Sequence, residues 1–553
     1  MQLILNHLTK APFDLDREAV AWVERMFRTL DETARAAQLF NLNSRGTDRQ
    51  TEIARIRHLK PGGITRFFNA DGAGEREHMA ALQAEANVPM LVSADLEGSR
   101  MSLPFGTAVP NPLALAAVDD VSLTEAISDL MAREARSVGI NWSFTPVLDI
   151  NAAFRSPIVA TRGFGSDPAL IERHALAQIR VFQRLGLAAT VKHWPGEGYD
   201  ERDQHLVTTI NPLSMKEWRA SFGKLYKAAI DQGVKSVMSA HIALPAYIFE
   251  RDVQAEEEAY LPASVSKALN LDLLRGELGF NGLIVSDASE MAGLSSVMPA
   301  REAKVEIIAS GCDMVLFSSD PEMEIAAVRD AVHDGRITAE RFVDAVTRVL
   351  ALKASLGLHQ DVRMPAYIVD RAAKKMAEDA FARAPTLVKD RHATLPLDPA
   401  KHRRILVVSG GIVEPMRSAR LDFELPTMLE NEGFAITLHR YGTPLDTEGQ
   451  DLVLYLFGEE TLLTRGRIFL DWLSLHGDFR AAMKRPWTGL PTVMISFGFP
   501  YYLYDAPRMP AYINAYSTHE AMQKAVLEAL MGRTPWNRKS PIDPYAGAPD
   551  ARF

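Results

Sequence analysis

The run Leu187-Ala188-Ala189-Thr190-Val191-Lys192-His193-Trp194-Pro195-Gly196-Glu197-Gly198-Tyr199-Asp200-Glu201-Arg202-Asp203-Gln204-His205 begins as an apolar strand and ends as a display of titratable groups. Residues 187–191 read as a buried strand. Lys192-His193 at its end, a turn through Pro-Gly-x-Gly, and then Asp-x-His are poor packing material. They set a cation, carboxylates and imidazoles on a glycine-hinged loop at one strand end, which is where an α/β barrel keeps its chemistry.

Outward from this strand, residues 15–357 alternate short apolar runs with amphipathic ones. Strands are expected at 37–42, 63–68, 89–94, 141–148, 187–192, 236–240, 283–287 and 313–318. Helices are expected at 123–137, 168–185, 215–232, 263–278 and 300–310. This alternation implies a parallel sheet. About eight strands suit a (β/α)8 TIM-type barrel of roughly 250 residues plus insertions; a doubly wound open sheet is the competitor. Helical patterns at 339–356 and 369–384 follow, separated by a polar, poorly periodic stretch at 357–365. A second α/β set has strands at 404–409, 435–439, 451–457, 491–496 and 511–515, with helices at 416–432, 468–484 and 520–530. It reads as a smaller three-layer α/β/α sandwich, with an extended tail at 535–553. The expected division is therefore 1–357 as the catalytic barrel, 358–384 as linker and connecting helix, and 385–553 as the C-terminal sandwich.

Composition agrees with two domains. A chain of 553 residues exceeds one ordinary core. A hydrophobic share of 47% with 24% charged residues is that of a soluble globular protein. Cys312 is the only cysteine, so no intrachain disulfide can form, which is compatible with a reducing compartment. The first residues show no basic segment leading into an apolar one, and no apolar run approaches the roughly 20 residues that span a bilayer. A cytoplasmic location, with no membrane partner, is the expectation. The net charge of −9 argues against nucleic acid.

The residues just past the apolar runs of the first unit are Asp95, Asp149, Lys192-His193, His241 and Asp287. In a barrel these ends share one mouth. Any one aspartate could simply cap the next helix; a succession of them with Lys and His points to a polar pocket. The histidines lack zinc-like spacing and Lys192 would oppose a cation, so no metal is expected. Gly196-x-Gly198 and Gly410-Gly411 are fragments, not a dinucleotide fingerprint, so no cofactor is expected either. Sugar chemistry fits best. Glycosyl transfer needs an anion beneath the anomeric carbon and a proton donor above the leaving oxygen. Asp287, on a rigid strand end, suits the first role. In Asp203-x-His205 a carboxylate can fix the imidazole tautomer and raise its basicity, which suits the second.

These residues carry a family resemblance. The stretch 192–205 resembles the Lys-His-Phe-Pro-Gly-His-Gly…Asp-Ser-His signature of the β-N-acetylglucosaminidases of glycoside hydrolase family 3. In the expected order, Asp95-Leu96-Glu97-Gly98-Ser99-Arg100 resembles the Asp-x-Glu-Gly-Gly-Arg turn, and Pro146-Val147-Leu148-Asp149 the Pro-Val-x-Asp strand. Arg162-Gly163-Phe164-Gly165-Ser166-Asp167-Pro168 resembles the Arg-x-Phe-x-x-Asp-Pro turn, and Val285-Ser286-Asp287 the nucleophile strand. Thr386-Leu387-Val388-Lys389-Asp390, then Leu395-Pro396-Leu397, resemble the start of the family's second domain. The resemblance implies a retaining, cofactor-free exo-β-glycosidase, foremost a β-N-acetylhexosaminidase, acting on a small glycoside or oligosaccharide. It implies Asp287 as nucleophile, Asp203–His205 as acid/base dyad, and Asp95, Arg162, Lys192 and His193 as ligands of sugar hydroxyls; His241 joins that group from its strand end.

There are departures. Glu197 stands where the family has the His of Pro-Gly-His-Gly, so it is a partner of the dyad, a rival proton donor, or a solvated loop residue. Ser99 replaces the second glycine of its turn. Met101-Ser102-Leu103-Pro104 lacks an arginine common there, which weakens the aminosugar assignment. A β-glucosidase, a β-xylosidase or a glycoside phosphorylase of the same family remains open, as does a sugar-binding protein without turnover. A homodimer is neither required nor excluded.

Overall fold

The computed structural model describes residue 3 and residues 5–360, 364–366, 371–415 and 419–553. In chain order the strands are β1 (Phe40–Ser44), β2 (Gly63–Arg66), β3 (Leu91–Ala94), β4 (Trp142–Ser143), β5 (Ala188–Trp194), β6 (Thr209–Ile210), β7 (Ser236–Ser239), β8 (Ile242–Ala243), β9 (Leu283–Ala288), β10 (Met314–Leu316), β11 (Thr386–Asp390), β12 (Arg404–Val413), β13 (Arg420–Leu421), β14 (Ala435–Leu438), β15 (Leu452–Glu459), β16 (Thr492–Ser496) and β17 (Ala511–Asn514).

A closed barrel runs β1-β10-β9-β7-β5-β4-β3-β2, with neighbouring strands parallel. Each of the eight apolar runs read from the sequence supplies one of its strands. Short β6 and β8 form a separate pair beside the mouth. Between strands, helices start repeatedly on an aspartate whose carboxylate takes an orphan N–H: Asp48, Asp71, Asp120 and Asp167 do this for four of them. Asp149 and Asp287 are not such caps.

Strand β4 is shorter than the apolar run 141–148 suggests. Pro146 has no N–H to give, and the β4–β5 ladder continues only irregularly, through Thr190 N–H to Thr145 O at 3.0 Å and Leu148 N–H to Lys192 O at 2.8 Å. The expected helix 263–278 opens as a 3-10 turn (Ala263–Val265) and continues as a π-helix (Ala268–Glu277).

The second unit is a mixed sheet in the order β11-β17-β16-β15-β12-β13, with β14 also pairing parallel to β12. Strand β11 lies antiparallel on β17 at one edge, a pairing that periodicity does not signal. The expected helix 468–484 is instead two short ones, Trp472–His476 and Phe479–Ala482. Gly477 parts them at φ +65°, where an added Cβ would sit 1.9 Å from Gly442 O. Of the expected helix 416–432, only Leu425–Asn431 is helical; Arg420–Leu421 pairs with β12, and 416–418 lie outside the described residues. Of 369–384, Arg371–Arg383 is helical; 361–363 and 367–370, in and after the expected linker, also lie outside them.

One apolar core fills the barrel and its helical shell; a second surrounds β12, β15 and β16. Barrel residues Leu113, Ala114, Ala117 and Ala160 belong to the second core, so the two units share packing. A single carboxylate also bridges them: Glu460, just past β15, accepts from Ser99 Oγ (2.8 Å), Asn111 Nδ2 (3.2 Å) and the Thr518 N–H (2.7 Å). Among the described residues no helix is long and apolar enough to cross a membrane.

Away from the mouth, Lys353 is fully buried with its ammonium on Gln38 Oε1 at 2.5 Å, and desolvation pushes its pKa down to about 7. From about pH 7 to the ordinary lysine range the unfolded chain binds a proton that the folded one has shed, so stability rises with pH across that window. Lys353→Met should flatten this slope and raise stability at pH 7 by about 3 kcal/mol, after about 1 kcal/mol for the abandoned Gln38 oxygen. Melting midpoints of both proteins from pH 7 to 10 provide the check.

Candidate active site

The barrel rim is wired by charge. Lys192, at the end of β5, places Nζ 2.7 Å from both Asp95 Oδ1 and Glu97 Oε1. Glu97 takes a bidentate pair from Arg162, at 2.8 and 2.9 Å. Burial alone would push the Glu97 carboxyl up, but Arg162 and Lys192 together hold it well below its ordinary value. Burial likewise opposes the Lys192 charge, and Asp95 and Glu97 more than restore it. Glu97 lies inside the turn motif 95–100, whose sequence alone assigns it no role. It is the hinge of this network, keeping the two cations aimed and leaving Asp95, partly exposed, to meet a ligand.

Next to it, His193 gives its Nδ1–H to Asp149 Oδ2 at 2.6 Å. Asp149 Oδ1 collects the backbone N–H groups of His193 (3.0 Å) and Glu197 (2.9 Å). Burial opposes its charge, but His193 and these donors hold its carboxyl below the ordinary range. The imidazole is thus fixed in one tautomer, with Nε2 left for the pocket.

Asp287, near the end of β9, is almost buried and accepts the Ala288 N–H at 2.7 Å. Burial would raise its carboxyl, yet His193, His241 and His205, acting through space, keep it below the ordinary range. All three imidazoles therefore lie within electrostatic reach of this carboxylate. His241 does not offer itself to a sugar as expected. Its Nε2–H goes to the Ala288 carbonyl (3.0 Å), and its Nδ1 meets Ser264 Oγ (2.9 Å). Fully buried, and pushed by desolvation towards the neutral form, it braces the strand end that carries Asp287.

The loop after β5 closes over this floor. At Gly198 (φ +108°) the Ile150 carbonyl fills the space of a side chain, and an added Cβ would meet it at 2.0 Å. Further on, His205 Nδ1 lies 2.6 Å from Asp203 Oδ1, which also takes the His205 N–H (2.8 Å). The other oxygen of Asp203 accepts the Thr464 N–H at 2.8 Å. Thr464 belongs to the second unit, so that unit reaches the dyad, a link no sequence signal announces. Burial raises the Asp203 carboxyl, while His205 and the Thr464 N–H lower it to a net downward shift. Thr464 has φ +63°. Thr464→Pro, which removes the donor and forbids that φ, should lower kcat/KM about tenfold on glycosides with poor leaving groups. Thr464→Gly, which keeps the N–H, should restore it; comparing both variants on activated and unactivated glycosides tests the link.

Glu197 is not solvated: it is buried, bonded through Oε2 to Gln204 Nε2 at 2.9 Å, with Oε1 lacking any partner among the described residues. Burial, then the Asp149 charge, push its carboxyl well above the ordinary range. Asp149, His193 and Glu197 each bring a ligand atom within 4.8 Å of the others. The 2.6 Å contact between the first two is a hydrogen-bond distance, which suits a shared proton better than a cation between them.

Residues 29–352 match the family described as "Glycosyl hydrolase family 3 N terminal domain". The chain is 38% identical to a beta-N-acetylglucosaminidase/beta-glucosidase of Cellulomonas fimi, over 99% of this chain and 100% of that protein. It superposes on a solved beta-glucoside phosphorylase BglX bound to 2FGlc with TM-score 0.90 and 33% identity, covering 99% of this chain and 100% of that one. A glycoside hydrolase family 3 beta-N-acetylglucosaminidase from Paenibacillus sp. str. FPU-7 gives TM-score 0.80 at 25% identity, over 94% of this chain and 100% of that one.

Proposed function

Because the chain belongs to glycosyl hydrolase family 3, we propose that it is a retaining exo-β-glycosidase, foremost a β-N-acetylhexosaminidase, with Asp287 as nucleophile and His205–Asp203 as acid/base. The observation that carries this reading is the Asp287 carboxylate, held below the ordinary carboxylate range by three imidazoles within electrostatic reach, of which one, His205, is backed by its own aspartate. Asp287 attacks C1 as His205 Nε2–H protonates the leaving oxygen. Asp203 stabilises the imidazolium before transfer and fixes the tautomer after it. The neutral imidazole then takes a proton from water, which attacks C1 and frees Asp287. Asp95, Lys192, Arg162 and His193 hold the sugar, with Glu97 keeping Lys192 and Arg162 aimed.

A 2-fluoro glycosyl donor tests this directly. Expected is a stable adduct on the peptide containing Asp287; an unlabelled, inert protein would instead support sugar binding without turnover. Separating N-acetylhexosamine, glucose and xylose takes kcat/KM on their intact aryl β-glycosides, because the 2-fluoro group replaces the acetamido or hydroxyl that distinguishes the first two. Phosphorolysis is a second reading, favoured by the whole-length likeness to a beta-glucoside phosphorylase. Product analysis with and without phosphate decides it, since only phosphorolysis releases glycosyl phosphate.

Glu197, whose carboxyl burial and the Asp149 charge push well above the ordinary range, is assigned to shape rather than proton transfer. Glu197→Gln should keep kcat/KM within about threefold on unactivated glycosides; a loss confined to poor leaving groups would make it the acid. We assign catalysis to 1–357, joined through 358–384 to a supporting 385–553. The buried thiol of Cys312 fits a cytoplasmic location.

A further inference from the structure

The second unit has the strand order of a ligand-binding sheet. Strand β12 has β14, the next parallel strand in the chain, on one side and β15, the one after, on the other. The connections leave β12 in opposite directions, and such a switch point opens a crevice at the carboxyl ends of the strands, where open α/β sheets bind ligands. A cavity of about 300 Å³ lies there. Its walls come from β12 (Gly410), from β13 (Arg420), from the segment after β14 (Tyr441), and from β15 with the segment beyond it (Phe457, Glu459, Arg467, Phe469).

The lining carries unused binding capacity. Arg467 makes no hydrogen bond or ion pair among the described residues. Arg420 gives one N–H to the Gly410 carbonyl, and its guanidinium lies 5.4 Å over the Tyr441 ring. Glu459 accepts the Tyr502 hydroxyl on Oε2, and beyond its own backbone N–H no other hydrogen bond to this carboxylate is made among the described residues. Burial first raises its carboxyl, countered only partly by Tyr502, Arg420 and Arg465, so it opposes an anion less than an ordinary carboxylate does. Asp471, the remaining carboxylate of the wall, is occupied by the Ser474 N–H (3.0 Å) and hydroxyl (2.5 Å). Tyr441 and Phe469 are about half exposed at the rim, at 47% and 53%. Aromatic faces suit a pyranose ring, the guanidinium groups an oxyanion, and the Glu459 carboxyl a hydroxyl.

We propose that this switch-point cavity is a second ligand site, separate from the barrel mouth, that takes a monosaccharide bearing a phosphate or a carboxylate. It stands whether or not the barrel hydrolyses glycosides. Arg467 also lines a smaller cavity of about 200 Å³ beside Asp203, so an occupant here lies one side chain away from the dyad.

Calorimetric titration of the full chain with glucose 1-phosphate, glucuronate and glucose tests the proposal. Expected is saturable binding of one or both anionic sugars, at least about tenfold tighter than glucose. Arg420→Ala and Phe469→Ala should each weaken it about tenfold, while Lys192→Ala, in the barrel, leaves it unchanged. Loss of binding in Lys192→Ala with retention in Arg420→Ala would place the anion in the barrel and overturn the proposal. Equal affinity for glucose, or no saturation for either anion up to about 10 mM, would overturn it as well. Binding of glucose 1-phosphate alone assigns the oxyanion to phosphate, and of glucuronate alone to carboxylate.

Discussion

Asp287→Ala is expected to lower kcat/KM on an activated aryl β-glycoside by about 10⁴-fold, a loss of about 5.5 kcal/mol of transition-state stabilisation. The carboxylate sits on a barrel strand end and is held by the Ala288 N–H and the surrounding imidazoles. Removing it takes away both the bond that forms to C1 and the negative charge beneath a developing cation. Because burial has been overcome and the carboxyl lies below its ordinary range, the nucleophile stays ionised down to acid pH. Any acidic limb near pH 5 to 6 in the wild-type profile should then belong to another group. The variant should melt as a folded protein, since the barrel core does not depend on this side chain. Turnover near the wild-type level would remove Asp287 from the chemistry.

His205→Ala is expected to lose about 10²- to 10⁴-fold on glycosides with poor leaving groups and less than about tenfold on dinitrophenyl glycosides, whose leaving oxygen needs no proton. The difference between substrates carries the assignment. A variant that merely disturbed the loop would weaken both alike. Asp203 should share the pattern at smaller amplitude, because it acts by orienting the ring from 2.6 Å and by stabilising its charge. Equal losses on both substrate types would argue against an acid role for His205.

Much of this architecture is legible in the chain. Eight apolar runs at helical intervals specify a parallel barrel, because strands buried on both faces must be nearly all apolar. The titratable residues just beyond them then fall at one rim, as strand polarity requires. Two kinds of feature are not legible. Glu97 and Thr464 act through pairings 65 and 261 residues apart along the chain, with Arg162 and Asp203, and no local pattern encodes such pairings. His241 misleads for the opposite reason: its position beyond a strand resembles that of His193, and only Ser264 and the Ala288 carbonyl reveal that both nitrogens are spent. Glu197 reads as a partner of the dyad, a rival proton donor or a solvated loop residue until packing shows it buried against Gln204. The helix break at Gly477 is hidden because a positive φ is a property of a turn that the surrounding apolar periodicity masks.

The carboxylate of Glu460 has an engineering corollary. The Thr518 amide and hydroxyl of the sheet domain depend on it for their acceptor, while Ser99 on the barrel turn has the Ser517 hydroxyl as its alternative. Grafting the sheet domain of a relative with an apolar residue at position 460 would strand the Thr518 donors inside a buried seam, each at a cost of about 1–3 kcal/mol. Chimeras should therefore exchange positions 99 and 460 as a set, and recombination libraries cut between them should be depleted of active members.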